Sequence, residues 1–115
     1  MIKAIVLMRK RPEMSRDDFI AYYEQRHVPL VGKLAGFPTA YRRNFPIIGD
    51  AMNRNDDRAD FDVVTELEFT SREEMHAWRQ RLLGDDGGKT LAEDEARFLD
   101  RASTRMVIVD VAVTT

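Results

Sequence analysis

The chain contains no cysteine, which excludes disulfides, thiolate nucleophiles and cysteine-ligated metal. It has no apolar run near the roughly 20 residues that a membrane span requires. The apolar segment Ile2–Met8 is too short for a leader and no small-residue cleavage site follows it, so it does not read as a signal peptide. Together these absences fit a cytoplasmic protein with no membrane partner. Charge of one sign is missing too. Eighteen Lys and Arg stand against 20 Asp and Glu, a net charge of -2, and the two signs are interspersed rather than blocked, so no nucleic-acid partner is expected. There is no glycine-rich phosphate loop, because Gly84-Asp85-Asp86-Gly87-Gly88 follows a helical segment and carries acids that repel phosphate. No serine sits in a nucleophile elbow. The only histidines, His27 and His76, are far apart and lack cysteine partners, which makes a poor transition-metal site; no metal and no cofactor are expected, the alternatives being one histidine with carboxylates or a histidine on haem.

What the sequence does contain is an ordered alternation of strand and helix signals over residues 1–115, enough for one domain with its own core. Residues 2–8 are β-rich and apolar at both parities. Ser15 with Asp18 is a near capping box, which opens a helix at Arg16. Val28 precedes Pro29, which predicts that this helix ends or kinks near His27. Residues 39–48 read as a second strand, and Pro46 places it at an edge. Residues 49–58 are a charged, Asn- and Asp-rich loop. From Phe61 to Phe69 the pattern alternates, with Phe61, Val63, Thr65, Leu67 and Phe69 on one side. Ser71 and Glu74 open a helix to about Leu83 with Met75, Trp78 and Leu82 inside. A short helix over Leu91–Leu99 presents Leu91, Glu95 and Phe98, and residues 104–113 form a last strand.

This order, β-α-β-β-α-β with a short extra helix, predicts an α+β fold of the ferredoxin-like kind, with an antiparallel four-stranded sheet and helices on one face. The same order builds RNA-binding RRM domains, but the third strand carries Asp62, Glu66 and Glu68 instead of a basic-aromatic signature. The first and last strands, expected to pair at the centre, are apolar on both faces. The uncovered face then calls for a second copy of the sheet, which predicts a homodimer closing into a dimeric α+β barrel.

The candidate site lies on the first helix. At about 100° per residue, Phe19, Tyr23 and His27 share a face, flanked by Tyr22. Hydroxyl and imidazole groups are costly to bury without partners, so this face predicts a pocket for a small hydrophobic molecule. His27 is the candidate acid or base, against the alternative that it caps the helix carbonyls. Tyr23 is the candidate orienting group. Phe19, Tyr22, Tyr41, Phe61, Trp78 and Glu95 are candidate substrate contacts. For Trp78 the alternative is core packing, and for Asp62, Glu66 and Glu68 it is pairing with Arg42, Arg43 or Arg105.

Five segments carry a family resemblance: Met1-Ile2-Lys3, the helix Ser15-Arg16-Asp17-Asp18-Phe19 through Tyr22-Tyr23, Arg26-His27-Val28-Pro29-Leu30, Phe61–Leu67, and Asp94-Glu95-Ala96-Arg97-Phe98-Leu99-Asp100. With these, the chain resembles the EthD-like proteins of the dimeric α+β barrel superfamily over nearly its whole length. That family is named for a gene cluster of ethyl tert-butyl ether degradation. Related barrels include cofactor-free monooxygenases, isomerases, cyclases, decarboxylases and haem-processing enzymes, many with a ligand between sheet and helices. The fold alone does not settle function; the polar-aromatic face of the first helix predicts a cofactor-independent enzyme working by proton transfer on a small carbonyl or phenolic compound. The alternative is a non-catalytic binding or accessory protein that supports a partner oxygenase.

Overall fold

The computed structural model describes residues 1–115. Strand β1 (Ile2–Met8) is followed by helix α1 (Arg16–Tyr22), a π turn (Tyr23–His27) and helix α2 (Val28–Ala35). Strands β2 (Ala40–Asn44) and β3 (Val63–Phe69), helices α3 (Arg72–Leu83) and α4 (Gly87–Phe98) and strand β4 (Arg105–Asp110) complete the order, with 3-10 turns at Asp56–Arg58 and Arg101–Ser103. The sheet is antiparallel throughout, in the order β2-β3-β1-β4. The ferredoxin-like α+β fold expected from the sequence is therefore present. One detail differs: β4 pairs with β1 but lies at an edge, and β1 and β3 hold the centre.

Ser15 accepts a hydrogen bond from the Asp18 N–H and Ser71 from the Glu74 N–H, so both N-caps form as read. Two helix boundaries differ from the sequence reading. Of the two outcomes read at His27, an end or a kink, the helix does not end there; it runs on to Ala35 through an irregular π turn in which the Val28 N–H bonds the Tyr23 carbonyl, five residues back. A proline ring clashes with the carbonyl four residues earlier in a regular helix, and the wider turn before Pro29 makes room for it. The last helix begins at Gly87 rather than Leu91. Its first turn needs no intrahelical donors, and the glycine fits there because a Cβ on Gly87 would collide with the Leu82 carbonyl of α3.

The helix-facing side of the sheet is built from Ile2, Ala4, Val6 and Met8 of β1 and Val63, Thr65 and Phe69 of β3, all buried. Two clusters form above it. One joins Val31, Ala35, Met75, Trp78 and Leu82; the other joins Phe19, Tyr23, Phe98 and Leu99. No helix is long and apolar enough to cross a membrane.

The opposite face carries Lys3, Ile5 and Leu7 of β1, Val64, Glu66 and Glu68 of β3, and Val107 and Val109 of β4. No element of the chain covers it. Glu66 pairs with Lys3 at 2.8 Å and Glu68 with Arg42 at 3.4 Å. Of the other arginines read as partners for these acids, Arg43 turns to Glu24 and Arg105 to Asp60, while Asp62 accepts from the Lys10 N–H.

Candidate active site

The continuation of the first helix through the π turn carries Tyr22, Tyr23 and His27 over the sheet, and α4 lays Asp94 and Phe98 against them. His27 Nδ1 stands 2.8 Å from Asp94 Oδ2, with both side chains buried. The Tyr22 hydroxyl donates to Asp94 Oδ1 at 2.6 Å, and Arg97 Nη1 lies 3.6 Å from the same oxygen. The Phe98 ring stacks on Tyr22 at 5.0 Å and tilts against His27 at 4.9 Å. An ionised carboxylate only accepts hydrogen bonds, so Nδ1 carries the hydrogen and the neutral ring keeps its lone pair at Nε2. Nε2 has no hydrogen bond within the protein, yet no buried polar side-chain atom lacks a partner. It therefore opens onto the cavity that His27 lines.

That cavity has a volume of about 940 Å³ and lies between the sheet and α2, α3 and α4. Its walls are apolar: Ala4, Val6 and Met8 below, Val31, Met75, Trp78 and Leu82 above. Along β4 it opens to solvent past Met106 and Ile108, whose side chains are exposed on the helix side of that edge strand. Arg72, His76, Arg79 and Arg101 stand at its rim.

A second polar group sits at the inner end. The Tyr41 hydroxyl donates to the Tyr23 hydroxyl at 3.2 Å, and the Tyr23 and Thr65 hydroxyls are 2.7 Å apart. Burial raises the pKa of both phenols, so both remain protonated donors at neutral pH. For Tyr22, burial and the neighbouring Asp94 carboxylate push in the same direction. Arg43 lies over the Tyr41 ring at 4.7 Å and forks onto Glu24, which fixes the outer end of this chain of hydroxyls.

Among the residues singled out from the sequence, His27, Tyr23, Tyr41, Trp78 and Glu95 line this one cavity. Trp78 is also core, donating through Nε1 to the Gly36 carbonyl, and Glu95 accepts from Arg101. Phe19 and Tyr22 stand behind the wall, Phe19 packed on Phe45 and Phe98, Tyr22 on Asp94. Phe61 lines a separate surface hollow with Pro46, Ile47 and Ile48. Sequence reading passed over Asp94 and Thr65. For Asp94 a signal existed: Leu91, Asp94 and Phe98 recur at i, i+3 and i+7, the spacing of one helix face. No group of three or more His, Asp or Glu side chains is placed to hold a metal ion.

The EthD domain family matches residues 11–102. The chain belongs to the EthD family. No curated protein matches it. Among solved structures it resembles an EthD family protein from Bacillus halodurans at 23% identity and a TM-score of 0.64, covering 97% of this chain and 99% of that one. A NIPSNAP domain protein from Burkholderia xenovorans superposes with a TM-score of 0.67 at 14% identity, over 100% and 98% of the two chains. A dimeric ferredoxin-like protein from Thermobifida fusca gives 0.54 at 14% identity, over 96% and 90%. At these identities the likeness is one of fold.

Proposed function

We propose that this EthD-family chain is a cofactor-independent enzyme that moves a proton on a small hydrophobic carbonyl or phenolic compound, with His27 as acid and base. The observation that carries this reading is the buried His27–Asp94 pair whose free nitrogen faces an apolar cavity. Neutral Nε2 takes a proton from a carbon next to a carbonyl, and the C–H electron pair shifts toward the carbonyl oxygen. Asp94 holds the resulting imidazolium, which returns the proton to another atom of the same substrate. Tyr23, edge-on to the imidazole at 5.3 Å, keeps the ring oriented. Tyr41, Trp78 and Glu95 are the groups we place against the substrate.

The working unit on this proposal is a homodimer in which two sheets meet through their uncovered faces. Val107 is 56% exposed there, beside the half-buried Ile5, Leu7, Val64 and Val109. Light scattering is expected to return twice the chain mass of 13.3 kDa, and a stable monomer at micromolar concentration would contradict the proposal. The function itself is tested by identifying any molecule that co-purifies, by mass spectrometry, and following deuterium uptake into it from D₂O. Exchange should vanish in His27→Ala. Binding without exchange, indifferent to pH between about 5 and 8, would instead support an accessory or carrier role.

A further inference from the structure

The hydroxyls of Tyr41, Tyr23 and Thr65 are joined by two hydrogen bonds, 3.2 and 2.7 Å long. Three hydroxyls carry three hydrogens, so one hydrogen is left without an acceptor. Tyr41 donates to Tyr23; the Tyr23–Thr65 bond can run either way, and when Tyr23 donates, the surplus hydrogen sits at Thr65 Oγ1. The Thr65 hydroxyl has no other hydrogen-bond partner in the protein, and the residue is 1% exposed and lines the same cavity as His27. A buried donor with nothing to give to is costly unless a ligand completes it.

We infer that Thr65 donates this hydrogen to a substrate oxygen, forming an oxyanion site opposite His27, with Tyr23 and Tyr41 behind it as a relay of polarised hydroxyls. The inference rests on the proton-transfer reading and deepens it. When His27 Nε2 takes the C–H proton, negative charge grows on the carbonyl oxygen. A donor held out of water is worth more to that charge than to the neutral carbonyl, and each hydroxyl behind it strengthens the next. Tyr23 joins the two halves of the site, since its ring touches the imidazole and its hydroxyl feeds Thr65. The ligand class follows: a flat apolar molecule whose reacting carbonyl becomes an enolate, or a phenol that binds as its anion.

4-Nitrophenol tests this without a known substrate, because its anion resembles an enolate and its visible band reports ionisation. At a pH where the free probe is mainly ionised, it is titrated into wild-type protein and into Thr65→Val, Thr65→Ser, Tyr41→Phe and His27→Gln. Thr65→Val should weaken binding of the anion about tenfold or more. Thr65→Ser should retain it, and Tyr41→Phe should show a smaller loss. Valine keeps the branched shape of threonine in a strand, and the serine variant guards against a folding artefact. Equal affinity in wild type and Thr65→Val overturns the inference, as does the absence of any binding. A loss confined to His27→Gln also overturns it, placing the anion on the imidazole alone and leaving the proton-transfer reading intact. Thr65-dependent binding without deuterium exchange in any co-purified ligand would do the reverse, sparing the donor and removing the reaction.

Discussion

His27 Nδ1 and Asp94 Oδ2 meet at 2.8 Å although 67 residues separate them in the chain. Neither group is free to turn. The carboxylate is shared with the Tyr22 hydroxyl and Arg97, and the imidazole is wedged between the rings of Tyr23 and Phe98. Such a pair fixes a tautomer as well as a position, which is what a proton-transferring nitrogen needs.

Asp94→Asn is expected to leave the fold in place and lower turnover about a hundredfold or more, because an amide no longer dictates which imidazole nitrogen carries the hydrogen. Nitrogen-15 NMR of the imidazole should show the Nδ1–H form in wild type and a mixture in the variant. Asp94→Ala removes the acceptor for both Tyr22 and His27. It should cost about 2–4 kcal/mol in urea unfolding.

All three tyrosines have phenols with pKa values raised above the ordinary value of 10.0, with burial the largest cause in each. A raised folded-state value means that the phenols favour the folded state fully below pH 10 and cease to do so as the pH climbs through their folded values. Alkaline titration followed by phenolate absorbance should therefore show no gradual rise near pH 10. The signal should appear together with unfolding, as one cooperative step. A tyrosine titrating independently near 10 would mean that its hydroxyl stands in water.

Much of this site was legible in local sequence, and the reason is periodicity. Phe19, Tyr23 and His27 share a face although the π turn spans Tyr23–His27, because a step of four residues makes close to one full turn in either kind of helix. Alternation in β3 put Thr65 on the inner side, and the caps at Ser15 and Ser71 needed only their own neighbours. What could not be read were choices made by distant contacts. Leu91, Glu95 and Phe98 form as good a stripe as Leu91, Asp94 and Phe98, and only the imidazole waiting across the interface decides for Asp94. Likewise Gly87 and Gly88 have low helix propensity and read as a stop; the close approach of α3 turns the first of them into a requirement.

Two glycines separate a rigid close contact from a yielding one. At Gly87 an added Cβ meets the Leu82 backbone carbonyl, which cannot move without shifting the end of α3. At Gly32 it meets the tip of the Phe37 ring, an exposed side chain free to swing away. Thermal melts should therefore show Gly87→Ala clearly destabilised, by more than about 1 kcal/mol. Gly32→Ala should be neutral or slightly stabilised, since alanine is the better helix former.

On the uncovered face, Glu66 accepts from Lys3 at 2.8 Å and from the Asn44 amide at 2.9 Å, and these bonds lower its pKa. A depressed folded-state value contributes stability above the ordinary glutamate value near 4.5, and this is lost as the pH falls through the folded value. Glu66→Gln should accordingly reduce stability at neutral pH and converge with wild type in acid. The gap should stay below about 1 kcal/mol if the face remains in water. Repeating the melts at high salt separates two cases. Screening erases the contribution of a solvated pair, whereas a pair sealed beneath a second sheet is screened much less. A gap that survives salt and grows with protein concentration is the signature expected of the homodimer, because the same two side chains would then be buried at its centre.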